Sequence, residues 1–247
     1  MKTGNALIAC LLGMLLAAGC GDDSGLPPPQ YPDRDTLEVA FQDGVHPYET
    51  YFGTRDAVIK DGPSPAFING NFGAEPRDTL GVVRAGSGYY ERRLLVRMDL
   101  SGLSGCSAVI DARLSLRIES DLADPLVLEV YEVEVPPANP ASWTEGTGEL
   151  FAGVSWSTVD GTAPWVTAGG DYAIAMLDAQ TVHADTAVTF ALPGPLVLAW
   201  IKEPSTNHGV IIRARDTGDE RYVLVHLRES SIAADRPKLE LLYLKSG

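Results

Sequence analysis

The sequence predicts an all-β protein, a single antiparallel β-sandwich of the jelly-roll kind. Three observations predict it. Across residues 37 to 244, apolar side chains recur at every second position, the period of a strand with one buried face. The runs are short and bounded by turn residues, with 25 glycines and 17 prolines spread among them. No run alternates with a long amphipathic helix and nothing repeats at a fixed spacing, which argues against a parallel α/β sheet, a solenoid or a propeller.

The strands follow in order. Leu94, Val96, Met98 and Leu100 alternate with Leu95, Arg97 and Asp99, then Ser101-Gly102 turns the chain. Ala112, Leu114, Leu116 and Ile118 alternate with Arg113, Ser115, Arg117 and Glu119. Leu128 and Val130 share one phase but Val133 and Val135 share the other, which predicts a bulge near Tyr131-Glu132. Further runs lie at 187–192, 210–215, 222–227 and 239–244, separated by Pro193-Gly194, Thr217-Gly218-Asp219 and Asp235-Arg236-Pro237. Residues 196–201, ahead of Lys202-Glu203-Pro204, read as a short helix or another strand.

The N-terminal segment reads as an address. Met1-Lys2 precedes an apolar run from Ala6 to Ala18 that is too short to span a bilayer comfortably. Ala17-Ala18-Gly19-Cys20 closes that run and resembles the lipobox of a bacterial lipoprotein, with Leu16 one place earlier than the usual leucine. The resemblance implies removal of residues 1–19 and lipidation of Cys20, anchoring an exported protein to a bacterial membrane, at the outer membrane or cell surface. An ordinary secretory signal is the alternative. Residues 20–36, with Pro27-Pro28-Pro29, then form an extended tether, and 37–247 form the domain. Processing leaves Cys106 as the one unmodified cysteine, expected to be buried and inert, with no internal disulfide.

Composition narrows the function. The 247 residues carry 33 acidic and 19 basic side chains, a net charge of −14, which disfavours a nucleic-acid partner. Three cysteines and four scattered histidines supply no zinc framework. No Gly-x-Ser-x-Gly elbow appears, and the Tyr172/His183 and Tyr222/His208 pairs arise by chance at this density, so no catalysis is expected.

The order of short motifs resembles the DNRLRE domain, related to carbohydrate-binding modules that include alginate binders. The resemblance runs through Asn69-Gly70-Asn71-Phe72-Gly73, the arginine-rich stretch from Arg93 to Leu100, and the strand from Ser107 to Leu116. It continues in Trp143-Thr144-Glu145-Gly146, Val154-Ser155-Trp156, Gly169-Gly170-Asp171-Tyr172, Asn207-His208-Gly209-Val210 and Arg236-Pro237-Lys238-Leu239. His226-Leu227-Arg228-Glu229-Ser230-Ser231 only approximates the family segment there. The resemblance implies a surface module more than it implies a particular ligand.

A sugar-binding site combines an aromatic platform with a polar rim. Tyr89 and Tyr90, beside Gly86-Ser87-Gly88, and Trp143, beside a proline-rich turn, look exposed. Trp156 and Trp200 read as core, and Trp165 reads either way. Arg93, Arg97, Arg113, Arg117, Arg213 and Arg215 alternate with apolar residues in strand-like runs. If the strands are neighbours, these arginines form a ladder suited to a uronate polymer; otherwise they are a solvated face paired with Asp99, Glu119 and Glu129. Asp160 and Asp171 sit in loops where calcium sites occur, although turn capping explains them as well. The sequence thus points to a non-catalytic, lipid-anchored, monomeric surface module for a polysaccharide, with an acidic uronate polymer as the candidate ligand, requiring no cofactor and with calcium at those loops as an option. A structural or adhesive lipoprotein with a protein or matrix partner is the alternative.

Overall fold

The computed structural model describes residues 36–136, 142–216 and 218–245. The signal, Cys20 and nearly all of the tether lie outside these residues. Among the described residues eleven strands form: β1 (Thr36–Phe41), β2 (Thr54–Lys60), β3 (Arg77–Ala85), β4 (Gly88–Met98), β5 (Cys106–Glu119), β6 (Leu126–Glu134), β7 (Asp171–Val182), β8 (Thr186–Ala191), β9 (Val210–Ala214), β10 (Arg221–His226) and β11 (Lys238–Lys245). The 196–201 segment resolves as helix, within α2 (Gly194–Lys202), preceded in the chain by the four-residue helix α1 (Pro65–Ile68).

Two long strands organise the pairing, all of it antiparallel. Along β4, Leu94 pairs with Val58 of β2 on one edge and Ile212 of β9 on the other, while the start of β4 forms a hairpin with β3. Along β5, Leu114 pairs with Leu239 of β11 and Phe190 of β8, and β10 joins at Ile118 and Glu119. The described strands form one continuous hydrogen-bonded sheet whose two halves, β1-β11-β5-β8 and β2-β4-β9-β6-β7, are joined through the β10–β3 pair. Period-two alternation then decides what is inside. Leu114, Leu116 and Ile118 of β5 pack in one core with Leu94, Val96 and Met98 of β4 and Leu126, Leu128 and Val130 of β6. Val197, Trp200 and Ile201 of α2 are buried in the same core, and Cys106 is buried there as expected.

A second, smaller core explains what alternation alone does not. On the outer face of the β2-β4-β9-β6 sheet, Ala57, Ile59, Leu95, Ile211 and Val133 are covered by Trp143, Val154, Val159 and Trp165. All four covering residues lie between β6 and β7. Both faces of this sheet are therefore dry in places, and its strands carry apolar residues in both phases. This is the reason Val133 is apolar out of phase with Leu128 and Val130. The pairing register does shift at Val130/Tyr131 and Tyr131/Val133, as the phase change suggested. The extra residues, however, belong to β7, because β6 runs without a break against β9.

The covering segment is held by polar groups that its backbone needs once buried. Asn71 donates from Nδ2 to the Glu145 and Val154 carbonyls and accepts the Gly148 N–H at 2.9 Å. The Trp165 indole donates to the Ser155 carbonyl at 3.0 Å.

Candidate ligand-binding groove

The arginines expected to form one ladder divide between the two outer faces of the sandwich. Arg93 and Arg97 lie on β4 and Arg213 on its neighbour β9, while Arg113 and Arg117 lie on β5, in the other half. Strand order causes the division, since β4 and β5 are not neighbours. Arg113 pairs with Asp111 at 2.7 Å and Arg215 with Glu129 at 2.7 Å, ordinary surface ion pairs. Arg117, half-buried, stands opposite Ala187 of β8.

At one end of the outer face, Arg93 and Arg213 are committed to internal partners. Glu91 takes both: its Oε2 pairs with Arg93 and its Oε1 with Arg213 Nη2 at 3.0 Å. Arg93 also donates to the Gly169 carbonyl at 2.8 Å and lies 4.8 Å from the Trp156 ring centre. Arg213 donates to the Tyr172 hydroxyl at 2.8 Å. Burial alone would lower the Arg213 pKa, but Glu91 and Tyr172 outweigh it and raise it. A cleft of about 790 Å³ opens beside them, and Glu132, Glu134 and Asp171 line it. Those carboxylates make it a poor host for a polyanion.

The other end differs. Arg55 of β2 and Arg97 of β4 are directly opposed across the two strands. The Arg97 guanidinium sits 5.4 Å from the ring centre of Trp143. Among the described residues it makes no hydrogen bond and no ion pair. Burial lowers its pKa first and the Arg55 charge lowers it further, against a smaller opposing pull from Glu145 and Asp99. Arg55 is braced by the Phe52 and Thr54 carbonyls, at 3.1 and 2.7 Å, and its Nε lies 3.7 Å from Glu145 Oε2. Phe52, 59% exposed, stands at the rim. Together with Asp99, Pro204 and Asn207 these residues line a groove of about 300 Å³.

Backbone chemistry sets the groove wall. Asn207 Nδ2 donates to the Met98 carbonyl at 2.8 Å, and its Oδ1 accepts the Gly209 N–H at 3.1 Å. Gly209 has φ +75°, and a Cβ there would lie 2.2 Å from the Val96 carbonyl oxygen. Only glycine fits this approach. It brings the His208 carbonyl to the Trp143 indole N–H at 2.8 Å, fixing the ring on which Arg97 lies.

The remaining sequence candidates are placed as follows. Trp143 is a correction: at 1% exposure it is core, because the covering segment folds it inward, and it serves as a bed for Arg97 rather than an open platform. Trp165 and Trp200 are also buried. Tyr89 is half exposed and Tyr90 partly buried, at the β3–β4 hairpin end of β4, about 26 Å along the strand from Arg97. Asp160 Oδ1 accepts the Thr162 and Ala163 N–H groups at 2.9 and 2.8 Å. Asp171 accepts those of Val166 and Thr167, each at 2.7 Å. Both aspartates are turn caps. Phe52 and Arg55 are not among the residues read from the sequence, and Asn207 stands there only within the Asn207-His208-Gly209-Val210 motif. The 54–60 run carries buried residues in both phases, so its alternation is faint.

No protein-family model matches the chain, and no curated protein matches it. Among solved structures it is similar to a chain of the Israeli acute paralysis virus full particle heated to 63 degrees, with 13% identity over 98% of this chain and 88% of that one. The TM-score is 0.27, and a likeness of that size supports no inference about function.

Proposed function

We propose that the protein is a DNRLRE-type surface module, lipid-anchored through Cys20, that binds an acidic polysaccharide at the Arg55–Arg97 groove without altering it. The observation that carries this reading is the Arg97 guanidinium, held in position by Trp143 and making no hydrogen bond or ion pair among the described residues, with Glu145 and Asp99 acting on it only at longer range. Two like charges opposed across strands destabilise each other, and a uronate carboxylate between them reverses the sign of that interaction. Exposed Phe52 offers an apolar face for a sugar ring at the groove edge. The net charge of −14 opposes a polyanion only weakly, since at physiological salt charges beyond about 8 Å are screened.

One observation favours the adhesive alternative. β7 ends the sheet path with β6 as its paired neighbour, and it presents Ile174, fully exposed, and Met176. An open edge with apolar residues suits a protein partner. Affinity electrophoresis of the purified protein separates the readings, in gels containing alginate, pectate, chitosan or neutral glucans, with chelator and with calcium. Retardation by alginate or pectate in both conditions, with free passage through neutral glucans, is expected. Free passage through every gel would overturn the glycan reading in favour of the adhesive one.

A further inference from the structure

Beneath the groove lies a group of side chains that glycan binding does not use. Asp56 of β2, Glu145 of the covering segment and Glu229 just after β10 each bring a carboxylate oxygen within 4.8 Å of the others. Asp56 is 0% exposed. Its Oδ2 accepts the Arg228 N–H at 2.8 Å, but its Oδ1 has no hydrogen-bond partner among the described residues. Glu229 Oε2 is likewise buried and without a hydrogen-bond partner among the described residues. A buried carboxylate oxygen left bare is costly, and two in one cluster need an account.

Charge sharpens the point. Arg228 reaches three carboxylates: Glu145 at 2.5 Å, Glu229 at 2.8 Å and Asp43 at 3.5 Å. Arg55 adds one contact to Glu145 at 3.7 Å. Four acids, Asp43, Asp56, Glu145 and Glu229, thus face two arginines in direct contact, with Arg97 acting on Glu145 at longer range, so negative charge is in excess when all are ionised. Burial is the first cause that raises the pKa values of Asp56, Glu145 and Glu229, with Glu229 reaching about 7.

We infer that Asp56, Glu145 and Glu229 form a site for one hard divalent cation of calcium's class. The donors are all carboxylate oxygens, the set preferred by calcium and unsuited to soft metals. Calcium–oxygen bonds of about 2.4 Å from a common centre reach oxygens as far apart as these. A divalent charge offsets the acid excess, and the bare oxygens of Asp56 and Glu229 gain a partner. The ion would tie β2, the covering segment and the chain after β10 together at one point. This site is separate from the loop aspartates Asp160 and Asp171.

The competing account is protons shared among the same carboxylates. Calorimetric titration of chelator-treated protein with calcium chloride distinguishes them, alongside terbium luminescence and thermal unfolding with calcium or chelator. The site predicts about one ion per chain and a higher Tm in calcium. It predicts binding weakened about tenfold or more in Glu229→Gln and in Asp56→Asn, and unchanged in Asp160→Asn. Should Asp56→Asn fail to fold, the more accessible Glu229→Gln carries the test. Absence of calcium binding and terbium emission in folded wild-type protein would overturn the site, as would binding that survives Glu229→Gln. Neither result depends on whether a polysaccharide binds the groove.

Discussion

Replacing Trp143 with alanine tests how the covering segment and the groove depend on each other. The side chain is almost wholly buried against the outer face of the sheet. Truncating a buried tryptophan to alanine costs about 3–5 kcal/mol through lost transfer energy and the cavity left behind. The change also strands the His208 carbonyl, which now accepts the indole N–H at 2.8 Å, adding about 1 kcal/mol. Loss of the ring under Arg97 adds about another 0.5 kcal/mol. A total near 5 kcal/mol is a third or more of the stability of an ordinary domain. Urea unfolding read from the midpoint with an unchanged slope is the assay. Trp143→Phe keeps most of the apolar volume and a ring beneath Arg97, and should cost about 1–2 kcal/mol, mainly the stranded carbonyl. A Trp143→Ala protein within about 1 kcal/mol of wild type would refute the second core as drawn.

Two further outcomes follow. In chelator, the Asp56 and Glu229 carboxyls have folded pKa values above their unfolded ones, Glu229 at about 7 against 4.5, so the folded state holds protons that the unfolded chain has released. Unfolding free energy should therefore fall as pH rises through that window, by up to about 3 kcal/mol between pH 5 and 8, and calcium should flatten the slope; urea melts that stay level in chelator would contradict this. Gly209→Ala forces a methyl against the Val96 carbonyl at positive φ and should cost about 2–4 kcal/mol, or about 5–12 °C in Tm by calorimetry.

Much of the fold was legible because one-sided burial writes itself into alternation. The β4 and β5 runs show it, and so does the end of the chain. The alternation fails where a strand is covered on both faces, as in β2 and the far part of β6. The residues that cover them, Trp143, Val154, Val159 and Trp165, sit in irregular chain with no period to read. Trp143 looked exposed because its neighbours in sequence are turn residues, yet its exposure is set by the sheet it folds against. The arginines were legible as a type but not as a site. Strand order separates Arg113 and Arg117 from the rest, and Glu91, two residues before Arg93 in the sequence, takes Arg93 and Arg213 out of use. Arg97 is left available only through contacts that bring Trp143 and Asn207 from distant parts of the chain. The buried carboxylate group is a similar case, since Asp56, Glu145 and Glu229 come from three separate segments.

The claim that Arg97 recognises a uronate carboxylate is tested most directly by calorimetric titration with an oligouronate and with the same oligomer after carboxyl reduction. Wild type, Arg97→Gln and, on the opposite face, Arg113→Gln are compared. A charge-assisted hydrogen bond of about 1.5–3 kcal/mol predicts that Arg97→Gln weakens oligouronate binding by about tenfold to a hundredfold. Arg113→Gln should bind as wild type does, and the reduced oligomer should bind wild type no better than it binds Arg97→Gln. Equal affinity of wild type and Arg97→Gln for the oligouronate would contradict the account.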